Sequence, residues 1–190
     1  MPSSEKSPSA EGLLAEDHEA LDKLLSALLA ALDEGDAANA FARLDLFWAR
    51  LAMHIRGEHL HLFPAILRAL EGDTGERADE TPDIAEAREA IAQLRSDHDF
   101  FMHELAGAVK VMRDGQTTAG GDRTSQLEGV RQMIATLRRR LEAHNKLEED
   151  MVYRLPAKLL EPDEQTALGL QIRDELKNLP PRFWDEAGDD

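Results

Sequence analysis

Apolar residues recur every three or four positions along each long segment of this chain, the spacing of a single buried helical face. In four of those segments the stripe is broken near its middle by a histidine, and twice a glutamate follows four residues later. The first stripe is Leu14, His18, Leu21, Leu25, Leu28 and Leu32. The second is Leu44, Phe47, Leu51, His54, Glu58 and His61. The third is Ile84, Ala87, Ile91, Leu94, His98, Phe101, Leu105, Ala108 and Met112. The fourth is Leu127, Val130, Ile134, Leu137, Leu141, His144, Glu148, Met151 and Leu155. No segment shows sustained strand alternation. A chain patterned this way buries polar groups in its own core, which is costly unless they are paired.

The same spacing predicts an all-α fold. One helix covers 11–33 and is ended by Gly35. A second starts at Ala37, capped by Asp36, and runs to about Leu70. A third opens at Thr81 and Pro82. A fourth opens at Ser125, with Glu128 completing a capping box. Between the last two lies a polar, glycine-rich connection, "DGQTTAGGDRTS". Short connections between long amphipathic helices favour an up-down-up-down four-helix bundle over residues 11–160. Residues 1–10 read as a disordered tail. Residues 161–190 read as a shorter C-terminal helix from Pro162 and a mobile acidic tail, with Phe183 and Trp184 pinning it to the bundle.

Bulk composition narrows the chemistry. Of 190 residues 42% are hydrophobic and 32% charged, enough for a core in a soluble helical protein. The net charge of −16 argues against a nucleic-acid backbone or an anionic membrane as partner. There is no cysteine, so disulfides, thiolate nucleophiles and thiolate metal sites are excluded. No apolar run approaches a membrane span, and the opening "MPSSEKSPSAEG" lacks the apolar segment of a secretory signal. The reading is a cytoplasmic protein.

The interruptions come in the order one, two, one, two, so the chain is an internal duplication at the level of chemistry. "EDHEALDKLLSALLAAL" matches "SDHDFFMHELAGAVKVM" in pattern, each with an Asp-His pair, and "HIRGEHLHLF" matches "HNKLEEDMVY". A histidine and a glutamate four apart share one helix face. Two such helices, with one histidine from each of the other two, bring four imidazoles and two carboxylates to a bundle axis. Two divalent cations would neutralise the carboxylates and partner the imidazoles together. A nitrogen and oxygen ligand set suits iron, with manganese and zinc as weaker fits.

His18 followed by His54 and Glu58, and His98 followed by His144 and Glu148, resembles the repeated signature of the hemerythrin-like proteins, the HHE cation-binding domain. "LHLFPAIL" after the first pair is similar to the family's "LFP" ending. The resemblance covers roughly residues 11–156. It implies a four-helix bundle around a non-haem di-iron centre with an oxo or hydroxo bridge. Glu58 and Glu148 would bridge the irons, and His18, His54, His98 and His144 would be terminal ligands. The oxygen carriers of the family have a further histidine where this chain has Met102. The iron–sulfur-repair relatives have an N-terminal cysteine segment that this chain lacks. Arg154 stands where the first repeat has Pro64, which predicts a longer run of helix after Glu148.

Other polar residues have several open roles. His61 lies on the His54 face and is open to ligation, to donating from outside the ligand set, or to walling the pocket. His59 is placed at a helix boundary or in solvent, and His103 on the surface. Asp22, one turn after His18, is either an orienting carboxylate or solvated. Glu149 is solvated or a substitute ligand. Tyr153 reads as buried packing, and Phe101, Met102, Leu21, Leu25, Met151 and Trp48 as core. Gly57 in mid-helix costs about 1 kcal/mol against alanine. The site expected from the resemblance leaves positions open on each iron for dioxygen, nitric oxide or peroxide. Alternatives are an iron donor or buffer in stress repair of iron centres, and a bundle with a structural metal only.

Overall fold

The computed structural model describes residues 9–72, 84–117 and 123–183. The expected Thr81 and Pro82 start, Trp184 and both outermost tails lie outside them. Among the described residues every regular element is helical, and no helix is long and apolar enough to cross a membrane. Helix α1 spans Ala10–Asp33 and α2 spans Ala37–Gly57. A π-helical turn at Glu58–Leu62 leads directly into α3, Phe63–Gly72. Helix α4 spans Ile84–Thr117 and α5 Arg123–Asp150. A 3-10 turn at Val152–Arg154 is followed by the short α6, Leu155–Leu159, and by α7, Pro162–Leu176.

The helix ends follow from local chemistry. The Ser9 side chain accepts from the Gly12 N–H and starts α1. The turn after α1 is a Schellman motif. Gly35 has φ 74°, its N–H reaches the Leu32 carbonyl, and the Asp36 N–H reaches the Ala31 carbonyl. The Asp36 carboxylate then accepts from the Asn39 N–H and opens α2. Ser125 and Glu128 do not cap α5, because that helix is already formed at Arg123.

The core lies in two layers with the polar residues between them. One layer joins the C-terminal part of α1 (Leu21 to Leu32), most of α2 (Ala40 to Ile55), the C-terminal part of α4 (Phe101 to Met112) and the first half of α5 (Val130 to Leu141). The other joins the start of α1, the π-turn and α3, the start of α4, the residues after α5, and α7. Helices α1 and α4 thus place their starts in one layer and their ends in the other. Each fully buried leucine or phenylalanine here stabilises by about 1.5–3 kcal/mol.

The two halves leave the helix that carries their His and Glu pair differently. The chain with Pro64 runs on through the π-turn, where the Phe63 N–H reaches back five residues to the Glu58 carbonyl. A wide turn moves the carbonyl of residue i−4 off the proline ring, so the helix survives. The chain with Arg154 does the reverse of what its sequence predicts. Helix α5 ends at Asp150, and Met151 (φ −125°, ψ −67°) leaves the helical region. Helix α7 packs on α1, α2 and the π-turn, and Arg56 holds Glu175 at 2.6 Å.

Candidate metal centre

His18, His54, Glu58, His98, His144 and Glu148 meet between the two apolar layers, each at most 6% exposed. They form two groups that share Glu148: His18 and His54 with one of its oxygens, His98 and His144 with the other. Glu148 Oε2 is 3.1 Å from His18 Nε2, while Oε1 is 2.9 Å from His144 Nε2 and 3.7 Å from His98 Nε2. Glu58 straddles the groups in the same way, Oε1 3.8 Å from His54 Nε2 and Oε2 3.2 Å from His98 Nε2. Each carboxylate therefore points one oxygen into each group, as a bridge between two cations requires.

Helical spacing explains the placement. His144 and Glu148 lie four apart on regular helix, so they share a face. The π-turn opens at Glu58, so that side chain still stands one turn below His54. Beyond it the buried stripe continues through Leu62, Ile66 and Leu70. His61 falls to the flank, 23% exposed, with Nε2 3.8 Å from Glu175 Oε2, and so lies outside the cluster.

All four histidines turn Nε2 inward and hold Nδ1 against a partner outside. His54 Nδ1 is 3.0 Å from Asp17 Oδ2, and the Arg50 Nε–H donates to Asp17 Oδ1 at 2.9 Å. His144 Nδ1 is 3.4 Å from Asp97 Oδ2, and Arg140 donates to Asp97 Oδ1 from Nε and Nη2 at 2.8 and 2.6 Å. His18 Nδ1 faces Glu149 at 2.8 Å, and His98 Nδ1 faces His59 Nε2 at 2.8 Å. Such partners fix the tautomer that leaves the inner nitrogen free to ligate.

The electrostatics are those of a charge cluster short of cations. Burial opposes the charged form of His54, yet Glu58 and Asp17 raise its pKa to about 9. Burial likewise opposes protonation of His98, but the nearby carboxylates of Glu148 and Glu58 raise it to about 9. Burial would push the Glu148 carboxyl up; His144, His18 and His98 hold it well below its usual range. Burial would also raise Asp17, but His54 and Arg50 hold it below its ordinary value. Protons on His54 and His98 thus stand in for positive charge that a metal would otherwise supply. Two oxygens remain unserved, Glu58 Oε2 and Glu148 Oε1, buried and without a hydrogen bond. Their short approaches to His98 and His144 are not aligned as hydrogen bonds. A cation between them would satisfy both, so the donor set fits a metal pair.

Several residues differ in role from the sequence reading. Tyr153, read as packing, is 1% exposed with its hydroxyl inside the cluster, 2.8 Å from Glu58 Oε1 and 3.1 Å from Glu148 Oε2. Asp17 and Asp97 hold the Nδ1 side of His54 and His144, and the Asp-His pair in each half was their signal. Asp22 is 56% exposed and pairs with Arg138 instead. Glu149, half-exposed, holds His18 from outside the cluster. His59 sits at a helix boundary, as expected, and there contacts His98. His103 is exposed, and Met102 packs against the first apolar layer. Phe101 and Phe63 wall the second group, Phe101 edge-on to His144 at 5.1 Å and Phe63 stacked on His98 at 6.2 Å.

A family model described as the hemerythrin HHE cation binding domain matches residues 10–155. No match was found among curated proteins or among solved structures.

Proposed function

Because the chain belongs to the hemerythrin HHE cation binding family, we propose that its two linked His/Glu groups hold a pair of irons that bind or react with dioxygen, nitric oxide or peroxide. The observation that carries this is the pair of fully buried carboxylates, each with one oxygen in each group. When bound, the irons supply Lewis acidity and electron exchange toward a small ligand. The chain's own residues do the rest. Glu58 and Glu148 tie the two positions together. Asp17, Asp97, Glu149 and His59 hold the imidazoles with Nε2 inward. Phe63 and Phe101 keep the second group dry, which favours a small neutral ligand over water.

The test is the metal content of the purified protein, read with its visible spectrum through reduction and return to air. The proposal expects one iron for each of the two groups and a ferric band that bleaches on reduction and returns with oxygen. Zinc, or no metal, in a fully folded helical protein would overturn it.

A further inference from the structure

The Tyr153 hydroxyl has more polar neighbours than a hydroxyl can use. It lies 2.8 Å from Glu58 Oε1, 3.1 Å from Glu148 Oε2, 3.1 Å from His18 Nε2 and 3.2 Å from His54 Nε2. A hydroxyl donates one hydrogen bond and accepts two. Four neighbours at nearly one distance have another meaning. Ligand atoms at right angles on one ion, each about 2.0–2.2 Å from it, stand about 3 Å from one another. The phenolic oxygen occupies such a vertex, with the two histidines and one oxygen of each glutamate as its neighbours.

We propose that Tyr153 is a fifth protein ligand to the ion held by His18 and His54, which leaves the ion at His98 and His144 as the one that takes the external ligand. The inference rests on the di-iron reading above and deepens it. The phenol loses its proton to solvent as its oxygen bonds the ion.

Three further observations converge on this asymmetry. Tyr153 stands five residues after Glu148, as Phe63 stands five after Glu58, so the duplication puts a ring without a hydroxyl at the matching place. Phe63 lies against His98 and His59 and brings no polar atom. The carboxylate oxygens without hydrogen bonds are both on the His98 and His144 side, whereas the phenolic oxygen lies 2.8 and 3.1 Å from the two oxygens on the other side. Finally, five residues along a straight helix would turn Tyr153 about 140° away from Glu148. The break after Asp150 and the 3-10 turn at Val152–Arg154 bring it back to the site.

The chain has a single tyrosine, so any tyrosinate signal belongs to Tyr153. The experiment compares iron-loaded wild type with Tyr153→Phe by iron content, visible absorption and resonance Raman spectroscopy, with azide as the added ligand. The expected result is a ferric tyrosinate charge-transfer band with tyrosinate ring modes in wild type. Azide should then shift the remaining ferric bands while those ring modes persist. Tyr153→Phe should lose the tyrosinate band completely. An iron-loaded wild type without tyrosinate modes overturns the inference and leaves the di-iron reading standing. So does displacement of the tyrosinate by azide. Because wild type alone decides this, a poorly folded variant does not obscure it. A wild type that takes up no iron overturns the di-iron reading and the inference together.

Discussion

The first half of the molecule, α1 to α3, and the second, α4 to α6, build the same inner set and differ just outside it. In both, an aspartate one residue before the lone histidine reaches across to the histidine of the next long helix: Asp17 to His54, Asp97 to His144. In both, an arginine four residues before that second histidine clamps the aspartate: Arg50 and Arg140. The pattern breaks twice. The residue after the buried glutamate is Glu149 in one half and His59 in the other, so His18 leans on a carboxylate and His98 on an imidazole. Five residues past the glutamate stand Tyr153 and Phe63. Burial, reinforced by the positive charges of His98 and Arg95, lowers the His59 pKa to about 4, so near neutral pH it brings no charge. The two His/Glu groups therefore sit in unequal fields although their histidines match.

The largest effect should come from the carboxylates that reach both groups, Glu148 above all. Glu148→Ala is expected to abolish binding at both positions at once, whereas His18→Ala should empty chiefly the group it belongs to. Metal analysis of the purified variants separates these outcomes, and loss of one metal alone from Glu148→Ala would break the shared-bridge geometry. In the metal-free form the same substitution leaves buried histidines without their counter-charge, at a cost of about 3–5 kcal/mol.

Next comes pH. His54 and His98 have folded-state pKa values of about 9, above the ordinary 6.5. The stability contributed by their protons is complete below about pH 6.5 and is lost as pH rises through about 9. The metal-free protein should therefore weaken across that window, by an amount on the order of several kcal/mol. The loaded protein should not, because cations take the protons' place. Denaturant midpoints on both sides of the window, with and without iron, measure this. A metal-free protein that holds its midpoint to high pH would mean the histidines are not charged by the carboxylates.

Smaller still are the orienting carboxylates. Asp17→Asn and Asp97→Asn should each weaken metal binding by about 10- to 100-fold. Each should act mainly on one position: Asp17 through His54, Asp97 through His144. Competition with a chelator at the two sites reads the split. Asp97 has the longer contact to its histidine, 3.4 Å against 3.0 Å for Asp17, so Asp17→Asn should have the larger effect.

How legible all this is in sequence depends on whether regular helix continues. His18, His54, His98, His144 and the two glutamates fall in stripes with a helical period, so their meeting at the bundle axis follows from periodicity. Asp17 and Asp97 sit about 100° around the helix from their histidines, at the edge of the stripe, where a neighbouring helix decides between partner and solvent. Asp22 looks better placed on its own helix, but its neighbour there is Arg138. His61 and Tyr153 are misread because the chain departs from the α-helical turn just after each glutamate. Periodicity carries no signal of a π-turn or a break two residues past Glu148. Pro64 marks one of those departures, and in the other half the proline, Pro156, comes two residues later relative to its glutamate, at the start of α6.

The finest test of the comparison exchanges the unequal partners. His59→Glu would place a carboxylate against His98 Nδ1, as Glu149 stands against His18, and should tighten binding at the second position by less than about 10-fold. The gain is bounded because His59 is half-buried and a carboxylate there is partly screened by solvent. Glu149→Gln should loosen the first position by a similar or smaller factor, since Glu149 is 48% exposed. His103→Ala, on the exposed face of α4, is the control that should change neither. If His59→Glu leaves affinity unaltered while Asp97→Asn lowers it, the field at the second position is set by the Asp97–Arg140 pair. The asymmetry between the halves would then reside in Tyr153 and Phe63 alone.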